Sequence, residues 1–337
     1  MNFDYNEEQQ LLADSVRRFL QKDYDFEARR KIVASPGGWS ARVWSQLAQM
    51  GLTGLPFSPD YGGFGGGAVD LMGVMEAFGE ALVVEPYLAT LMGAQLVARA
   101  GSAEQKRAIL PAVVEGRMRL AFAHTERKEG EKLGVVGAPI ADKLVVSSGN
   151  GLFLADRADV KMKPYRSMDN MVAADLIFSK DRAEPMPGAD QAIEETIDFA
   201  TALVCAEAVG AMKFSCDATL EYLKTRKQFG VPIGTFQALQ HRMVDMVISY
   251  EQARSMACLA CSRVDQAVSA AERSRAVSAA KIKIADSARH IGQEAVQLHG
   301  GMGMSEELKL SHSFRRLTVA AQQFGDADHH LARFASL

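Results

Sequence analysis

The sequence predicts a mainly α-helical protein with a small β domain in its middle, and two observations carry this prediction. Apolar residues recur at helical spacing through most of residues 5–123 and again from about residue 190 onward. Between them, short β-prone segments alternate with Gly, Asn, Asp and Pro. We therefore expect an N-terminal helical domain at 1–123, a reduced β domain at 124–188 and a C-terminal helical bundle domain at 189–337.

The composition is that of a globular protein and excludes several functional classes. The chain has 337 residues, of which 48% are hydrophobic and 23% charged, and its formal net charge is −3. This near-neutral balance argues against nucleic-acid binding, which normally requires a basic excess. No stretch approaches the roughly 20 uncharged apolar residues of a membrane span. With 4 cysteines and no visible secretory signal, we expect free thiols and a cytoplasmic location.

The N-terminal elements are predicted from caps and breakers. Asn6 is suited to cap a first helix whose first turn carries Glu7 and Glu8, because acidic side chains favour the positive end of the helix dipole. Gly51 is predicted to end a second helix, and the glycine-rich stretch 51–67 reads as a connecting loop. No strand clearly precedes its glycine cluster and no Lys-Ser/Thr follows it, so a phosphate-binding loop is disfavoured. Helical patterning resumes at 68–100 and 103–115.

The remaining elements follow from periodicity. Strands are predicted at 143–147, 151–154 and 174–178, and Pro185–Gly188 is predicted to be a linker. Four amphipathic runs follow, at 190–225, 235–265, 268–298 and 305–335, and their lengths suit a four-helix bundle.

No metal site is predicted from the cysteines and histidines. Cys258 and Cys261 form a C-x-x-C pair inside a helical run, but zinc needs about four ligands and no second pair is present. His329 and His330 lack the Glu-x-x-His pattern of a di-iron bundle.

Two segments point to a ligand. The first, Thr225–Gln237, is a turn between two long helices that carries cations, aromatic rings and amides. Helix ends account for its glycines and proline, but Arg226, Gln228 and Gln237 suit an anionic, hydrogen-bonding ligand. The second, Gln297–Gly303, is a glycine turn beside an amide, and such turns form anion-binding concavities.

In this order and spacing, the two segments resemble the acyl-CoA dehydrogenase family. The start Phe3–Gln10 and the loop from Gly54-Leu-Pro56 to Gly63 also match the family pattern, so the resemblance covers essentially the whole chain. Trp39, Trp44 and Met75-Glu-Ala-Phe-Gly79 are similar to a heteromeric α₂β₂ subgroup, that of the pimeloyl-CoA dehydrogenase small subunit. The resemblance implies FAD as cofactor, with contacts from Arg226, Gln228, Phe229, Gln237, Gln297, Gly300 and Gly301.

The positions of the family's catalytic base carry residues that cannot accept a proton. Most members place a glutamate eight or nine residues after an Arg-Asp pair near the C-terminus. The matching place here is Phe314-Arg315-Arg316, and an ungapped count puts Phe324 where the base should be. The family's second position, on the helix before the Arg226 turn, holds Ala200. The resemblance therefore implies no catalytic residue in this chain, with Glu207 on the same helix as the alternative candidate.

The β domain also departs from the family. Phe122–Glu126 matches the aromatic-x-x-Thr-Glu-Pro segment that faces the flavin ring, but Arg127 replaces the proline, and the domain is short. In the family, this segment and the base serve the subunit's own flavin, whereas the Arg226 and Gly300 turns reach the FAD of a neighbour. We therefore expect a small, base-less subunit that completes the FAD site of a homologous large subunit.

The resemblance also implies substrates and partners. It implies α,β-desaturation of an acyl-CoA, with pimeloyl-CoA or another dicarboxylyl-CoA as the expected substrate class and a steroid side-chain thioester as the alternative. Electron-transfer flavoprotein is the expected acceptor. Two other functions stay open at this point: a flavin-free binding or scaffolding protein on the same fold, and a self-sufficient homo-oligomeric dehydrogenase that uses Glu207.

Overall fold

A computed structural model describes residues 5–188 and 190–337 of the protein. The chain forms two compact units. The first comprises Met1–Arg29, Ala68–Val83 and Thr201–Leu337, and the second comprises Arg30–Gly67 and Val84–Ala200. The helices are α1 (Glu7–Asp23), α2 (Phe26–Ala34), α3 (Ala41–Gln49), α4 (Ala68–Ala81), α5 (Tyr87–Ala100), α6 (Ala103–Val114), α7 (Asp190–Thr225), α8 (Gln237–Gln266), α9 (Ala270–His299), α10 (Lys309–Gln322) and α11 (Ala327–Ser336).

The predicted helix boundaries near the N-terminus are confirmed. The side chain of Asn6 accepts a hydrogen bond from the Gln9 backbone N–H at 2.8 Å, and Gln9 Oε1 accepts from the Asn6 N–H at 3.0 Å. This reciprocal pair is a capping box that satisfies donors at the start of α1. Gly51, with φ 77°, follows the end of α3 as expected. Of the predicted family-like start, Phe3 and Asp4 lie outside the described residues.

Two helical runs were predicted to be continuous, and this prediction is wrong. The run at 68–100 is divided into α4 and α5, because Leu82 takes a left-handed φ of 58° just after α4 ends. The run at 305–335 is divided into α10 and α11, with Phe324 at φ 62° and Gly325 at φ 108° between them. A left-handed residue cannot continue a right-handed helix, so each run is interrupted at these residues.

The β region contains two four-stranded sheets. Its strands are β1 (Leu120–Ala123), β2 (Glu126–Lys128), β3 (Glu131–Val136), β4 (Lys143–Ser148), β5 (Gly151–Asp156), β6 (Lys161–Arg166), β7 (Val172–Ile177) and β8 (Glu184–Met186). One sheet has the order β1-β4-β5-β8, with β1 parallel to β4, and the other has the order β2-β3-β7-β6. Their apolar faces form one core that includes Val135, Leu144 and Leu176.

The three predicted strands are confirmed, but two features of this region were predicted wrongly. β1 begins at Leu120, four residues before the expected boundary of the β domain. The predicted linker at Pro185 is part of β8, whose Pro185 pairs with Phe153 of β5. Proline is tolerated there because β8 lies at the edge of its sheet, where one row of backbone donors has no strand to meet.

In the first unit, α4 and the part of α7 from Thr201 onward touch backbone to backbone. A Cβ atom on Gly79 would lie 1.8 Å from the carbonyl oxygen of Glu207, and one on Gly210 would lie 1.8 Å from that of Glu76. Only glycine permits so close an approach. The pair also gives Gly79 of the Met75–Gly79 segment a packing role.

Helix α7 is the only described helix that is long and apolar enough to cross a membrane by length and composition. Within Gln191–Thr225, its most apolar window has a mean hydropathy of 1.4, and 83% of that window is buried inside the protein. This burial is typical of the core helix of a globular protein.

Candidate functional site

The first candidate segment is a tight hairpin between two long helices. After α7 ends at Thr225, β9 (Lys227–Gln228) pairs with β10 (Val231–Pro232), and Gln228 lies opposite Val231. The two connecting residues, Phe229 at φ 55° and Gly230 at φ 83°, both take left-handed conformations, as a two-residue hairpin of type I′ requires. A bulky residue rarely adopts this conformation, and here it leaves the Phe229 ring 89% exposed.

The polar side chains that the sequence singled out in this segment face solvent. Arg226, Gln228 and Gln237 are all exposed. Among residues 5–188 and 190–337, their side chains make no hydrogen bond or ion pair, although the Arg226 carbonyl accepts from the Ile233 N–H at 2.8 Å. The backbone of the turn is thus fixed from within, while its guanidinium and amide groups stay available to a ligand.

The second candidate segment also leaves open space in front of its backbone. α9 ends at His299, and Gly300 follows at φ 62° and ψ −145°, a combination that is essentially restricted to glycine. A Cβ atom added to Gly300 or Gly301 would meet no described atom within 4 Å. Gly303 differs, since its Cβ would lie 2.7 Å from the Val296 carbonyl oxygen. Gly300 and Gly301 therefore line an open surface, with the exposed Gln297 beside them.

The structure brings the two segments together through a pair of rings that the sequence analysis missed. Tyr222, one helical turn before Arg226, stacks on His299, with ring centroids 4.3 Å apart and an interplanar angle of 25°. His299 is buried, and its Nδ1–H donates to the Ala295 carbonyl at 2.8 Å. Burial lowers the pKa of His299 and favours the neutral ring. His299 lies in the Gln297–Gly303 segment, directly before Gly300. This position was the one sign in the sequence that His299 could belong to the site.

An ion pair also holds α8, which follows the Arg226 turn, to α9, which precedes the Gly300 turn. The Arg242 guanidinium on α8 donates to both carboxylate oxygens of Glu294 on α9, at 2.6 and 2.9 Å. This bond lowers the pKa of Glu294 and raises that of Arg242. Bidentate arginine–carboxylate pairs have a fixed geometry, so the helices that carry the two turns are held in register.

The predicted base positions contain no proton acceptor. Phe324 lies in the break between α10 and α11, and its carbonyl accepts a hydrogen bond from Nε2 of His330 at 3.1 Å. Ala200 is fully buried inside α7. Both side chains are hydrocarbons, so neither can take an α-proton from a substrate.

Glu207, the alternative base, is committed to another residue. Its carboxylate forms an ion pair with Arg316 of α10, and both side chains are largely buried, at 14% and 6% exposure. Arg316 also donates to the Val83 carbonyl at 3.0 Å, just beyond the end of α4. Glu207 thus neutralises a buried cation that ties α7, α10 and the end of α4 together, which is a stabilising role.

The Thr125–Glu126 segment in the second unit uses its polar groups internally. The Thr125 carbonyl accepts from the Leu133 N–H at 2.9 Å, and the Glu126 carboxylate accepts from the Gly130 N–H at 3.0 Å. Lys132, which is 1% exposed, donates to the His124 carbonyl at 3.3 Å and lies 3.4 Å from Glu126. Burial lowers the pKa of Lys132. The Thr125 carbonyl and the Glu126 carboxylate are therefore engaged within the β2–β3 hairpin, although both residues remain exposed.

The cysteines and histidines do not assemble a metal site in the described parts of the chain. Cys258 and Cys261 lie inside α8, and burial raises the pKa of both thiols. His330 is buried between Ser278 and the Phe324 carbonyl and serves to dock α11.

Comparison with known families identifies the class of protein. The family model for the N-terminal domain of acyl-CoA dehydrogenases matches residues 6–117, and the model for the C-terminal domain of the same enzymes matches residues 188–335. These regions cover well over half of the chain. The protein belongs to the acyl-CoA dehydrogenase family, whose members are oxidoreductases.

Similar curated proteins span nearly the full length. Acyl-CoA dehydrogenase IpdE2 of Mycobacterium tuberculosis is 30% identical over 98% of this chain and 97% of its own. Acyl-CoA dehydrogenase IpdE2 of Mycolicibacterium smegmatis is 29% identical over 97% of this chain and 98% of its own.

Solved structures confirm the fold. A variant of the Tcur3481–Tcur3483 steroid ACAD is 26% identical with a TM-score of 0.87, and the match covers 98% of this chain and 97% of the other. PigA with FAD and proline is 25% identical with a TM-score of 0.88 and covers 100% and 98%. The ChsE4–ChsE5 complex of Mycobacterium tuberculosis matches at a TM-score of 0.91, with 22% identity over 100% and 98% of the two chains. The predicted order of helical domain, small β domain and helical bundle is confirmed.

Proposed function

We propose that this chain is the small, base-less subunit of a heteromeric FAD-dependent acyl-CoA dehydrogenase and that it completes the FAD site of a homologous large subunit. One observation carries the proposal. Tyr222, just before the Arg226 turn, stacks on His299, just before the Gly300 turn, and the polar side chains of both turns are exposed.

The residues of the two turns fit the charged part of FAD. The Arg226 guanidinium is exposed and without a protein partner among the described residues, so it can donate charge-assisted hydrogen bonds to a pyrophosphate. Gln228, Gln237 and Gln297 add amide donors and acceptors, and Phe229 presents an aromatic face. Gly300 and Gly301 leave the backbone open to close approach. When bound, FAD supplies the hydride acceptor for α,β-desaturation of the acyl-CoA.

The internal pairing of other residues supports a division of labour between two chains. Phe324 and Ala200 cannot act as a base, and Glu207 is bound to Arg316. The Glu126 carboxylate is engaged by the Gly130 N–H and lies 3.4 Å from Lys132. The large subunit would then supply the base and the flavin-ring contacts, in an α₂β₂ assembly with two flavins. Electron-transfer flavoprotein is the proposed acceptor, and we propose a cytoplasmic location.

The acyl group belongs to one of two proposed classes. The resemblance to the pimeloyl-CoA dehydrogenase small subunit favours a medium-chain dicarboxylyl-CoA. The similarity to the Tcur3481–Tcur3483 steroid ACAD favours a steroid side-chain thioester instead. Acyl pockets are apolar and shaped by packing, so a panel of both thioester classes is the appropriate assay.

Co-expression with the neighbouring open reading frame tests the proposal. The chain expressed alone should purify colourless and desaturate no acyl-CoA, whereas the co-purified complex should show the visible absorption of bound flavin and turn over one of the two thioester classes. A yellow, active homo-oligomer of this chain would refute the division of labour. A colourless complex would favour a scaffolding role on the same fold.

A further inference from the structure

A cavity in the second unit is separate from the Arg226 turn, the Gly300 turn and the Thr125–Glu126 segment. It has a volume of about 460 Å³, opens to solvent, and is lined by Arg119, Pro139, Ala141, Asp142, Arg157 and Ala158. It is a shallow, open depression, which suits a group held at the protein surface more than an enclosed ligand. None of its residues belongs to the Arg226 or Gly300 turn, so a ligand here would be independent of the proposed FAD site.

The first arginine of the cavity is fixed by its surroundings. Arg119, directly before β1, donates from its backbone N–H and from Nη2 to the two oxygens of Asp142, at 2.8 and 2.9 Å. Its guanidinium carbon lies 4.5 Å from the ring centroid of Trp39, a cation–π contact. Its Nε is buried and finds no hydrogen-bond partner within the described chain. The guanidinium is thus held in place before any ligand arrives.

The second arginine is tied to the same turn. The Arg157 N–H donates to the Asp142 carbonyl at 3.3 Å, and its Nε donates to the Pro139 carbonyl at 3.0 Å. Its terminal nitrogens have no partner in the described ranges 5–188 and 190–337, and neither has Nη1 of Arg119. Asp156, the nearby acid, is already paired with Lys143 at 2.6 Å. Arg119 pairs with the Asp142 carboxylate, whereas Arg157 is bound only to backbone carbonyls. Because Asp142 is the one acid among the residues that line the cavity, the lining keeps a positive excess.

We infer that this cavity binds a small oxyanion, the phosphate or carboxylate group of a small molecule, through the terminal nitrogens of Arg119 and Arg157. Guanidinium groups match the paired acceptors of phosphates and carboxylates. Because both side chains are already anchored, little conformational entropy is lost when they bind. Pro139, Ala141 and Ala158 form an apolar wall for the rest of the molecule.

Trp39 provides a built-in reporter for a titration. It touches Arg119, whereas the other tryptophan, Trp44, is buried and donates from Nε1 to the Gly116 carbonyl at 2.7 Å. Pyrophosphate and adipate, added to the full chain at constant ionic strength, should each be tested for a saturable change in emission, with calorimetry as a second readout. Binding that changes the Trp39 emission and is weakened by Arg157→Gln supports the oxyanion site, and the preferred probe shows whether it selects phosphate or carboxylate. Binding that Arg157→Gln leaves unchanged belongs elsewhere, for instance to the Arg226 turn, and would overturn the site.

Arg157→Gln is the decisive variant, because Arg157 is exposed and its loss should not unfold the protein. We expect its affinity for the bound probe to fall at least about tenfold. Arg182→Gln, at another exposed arginine of the same unit, is the matched control and should bind as wild type does. Failure of both probes to bind, or equal affinity in the two variants, would overturn the site.

Discussion

Arg226 and Arg316 belong to the same unit and stand in opposite surroundings. Arg226 is exposed in a hairpin whose own backbone is fully organised. Arg316 is 5% exposed and is bound to Glu207 and to the Val83 carbonyl. A charge buried in the interior has to be paired or the fold loses stability, so the Arg316 cluster serves the fold. The exposed Arg226 makes no such pair among the described residues, so the fold does not require it and it stays available for the ligand role proposed above.

The largest expected effect is a difference in stability between alanine substitutions at Gly210 and at Gly301. Gly210→Ala should abolish soluble expression or lower the free energy of unfolding by more than about 3 kcal/mol, because the new Cβ would lie 1.8 Å from the Glu76 carbonyl oxygen. Gly301→Ala should change that free energy by less than about 0.5 kcal/mol, since its Cβ meets no described atom, yet it should reduce flavin retention by the complex. Urea unfolding and flavin absorbance measure the two effects. A stable Gly210→Ala variant would contradict the backbone contact.

The next effect concerns the buried ion pair. Arg316→Met should lower the free energy of unfolding by about 3–5 kcal/mol, because it leaves the Glu207 carboxylate buried without its cation. Arg226→Met, the matched exposed arginine, should leave it within about 0.5 kcal/mol of wild type. Equal destabilisation of the two variants in chemical denaturation would contradict the conclusion that Arg316 stabilises the fold and Arg226 does not.

The helices and strands that could be predicted from the sequence are those determined by interactions between residues near one another in the chain. The side chains of Asn6 and Gln9 and the left-handed backbone of Gly51 fix helix ends through interactions within a few residues, so caps could be predicted. The strands at 143–148 and 151–156 are β-prone and largely buried, and they were found. β6 was missed because it is an exposed edge strand rich in lysine, and its side chains do not show the apolar pattern of a buried strand.

The candidate residues could be predicted, but their arrangement could not. The two motifs were visible as turns, whereas the Tyr222–His299 stack depends on tertiary packing between residues 77 positions apart in the sequence. The pairing of Glu207 with Arg316, 109 residues apart, likewise decides whether that carboxylate is spare or committed. The break at Leu82 occurs at a residue that rarely adopts left-handed angles, so no local signal marks it. The break at Phe324 is marked by Gly325 and by the N-cap Asp326, and this signal was overlooked.

Acid should lower the free energy of unfolding through the buried side chain of His330. Burial lowers the pKa of this histidine to about 4, from an unfolded value near 6.5, so its contribution is fully present above pH 6.5 and is lost as the pH falls toward 4. Linkage gives a loss of about 2 kcal/mol between pH 7 and pH 5. His330→Gln should flatten this dependence in denaturation measured at both pH values. The same slope in the variant would assign the effect to other groups.

In the exposed hairpin between α7 and α8, Arg226→Ala should weaken flavin retention by the complex more than tenfold. The expected loss is about 1.5–3 kcal/mol, the contribution of a charge-assisted hydrogen bond to a phosphate. Lys227→Ala is the neighbouring exposed cation and should retain flavin as wild type does. Flavin absorbance after extensive dialysis measures both, and equal content in the Arg226 variant and wild type would remove Arg226 from the site.

The smallest expected effect gives the sharpest decision about catalysis. Glu207→Gln should leave turnover of the complex within a few-fold of wild type, because glutamine keeps the shape of the side chain and a hydrogen bond to Arg316. If Glu207 were the base, the change would remove the proton acceptor, and general-base catalysis contributes about 10²–10⁴-fold.

Two geometric facts favour the small effect. Glu207 lies seven residues beyond Ala200 on α7, which displaces it by about 10 Å along the helix axis at roughly 1.5 Å per residue. Its carboxylate is also already bound to a buried guanidinium, so using it as a base would leave Arg316 without its counter-charge. Steady-state assays should therefore be read together with flavin content and unfolding curves. A thousandfold loss of turnover in a variant that is folded and still yellow would make Glu207 the base and would move catalysis into this chain.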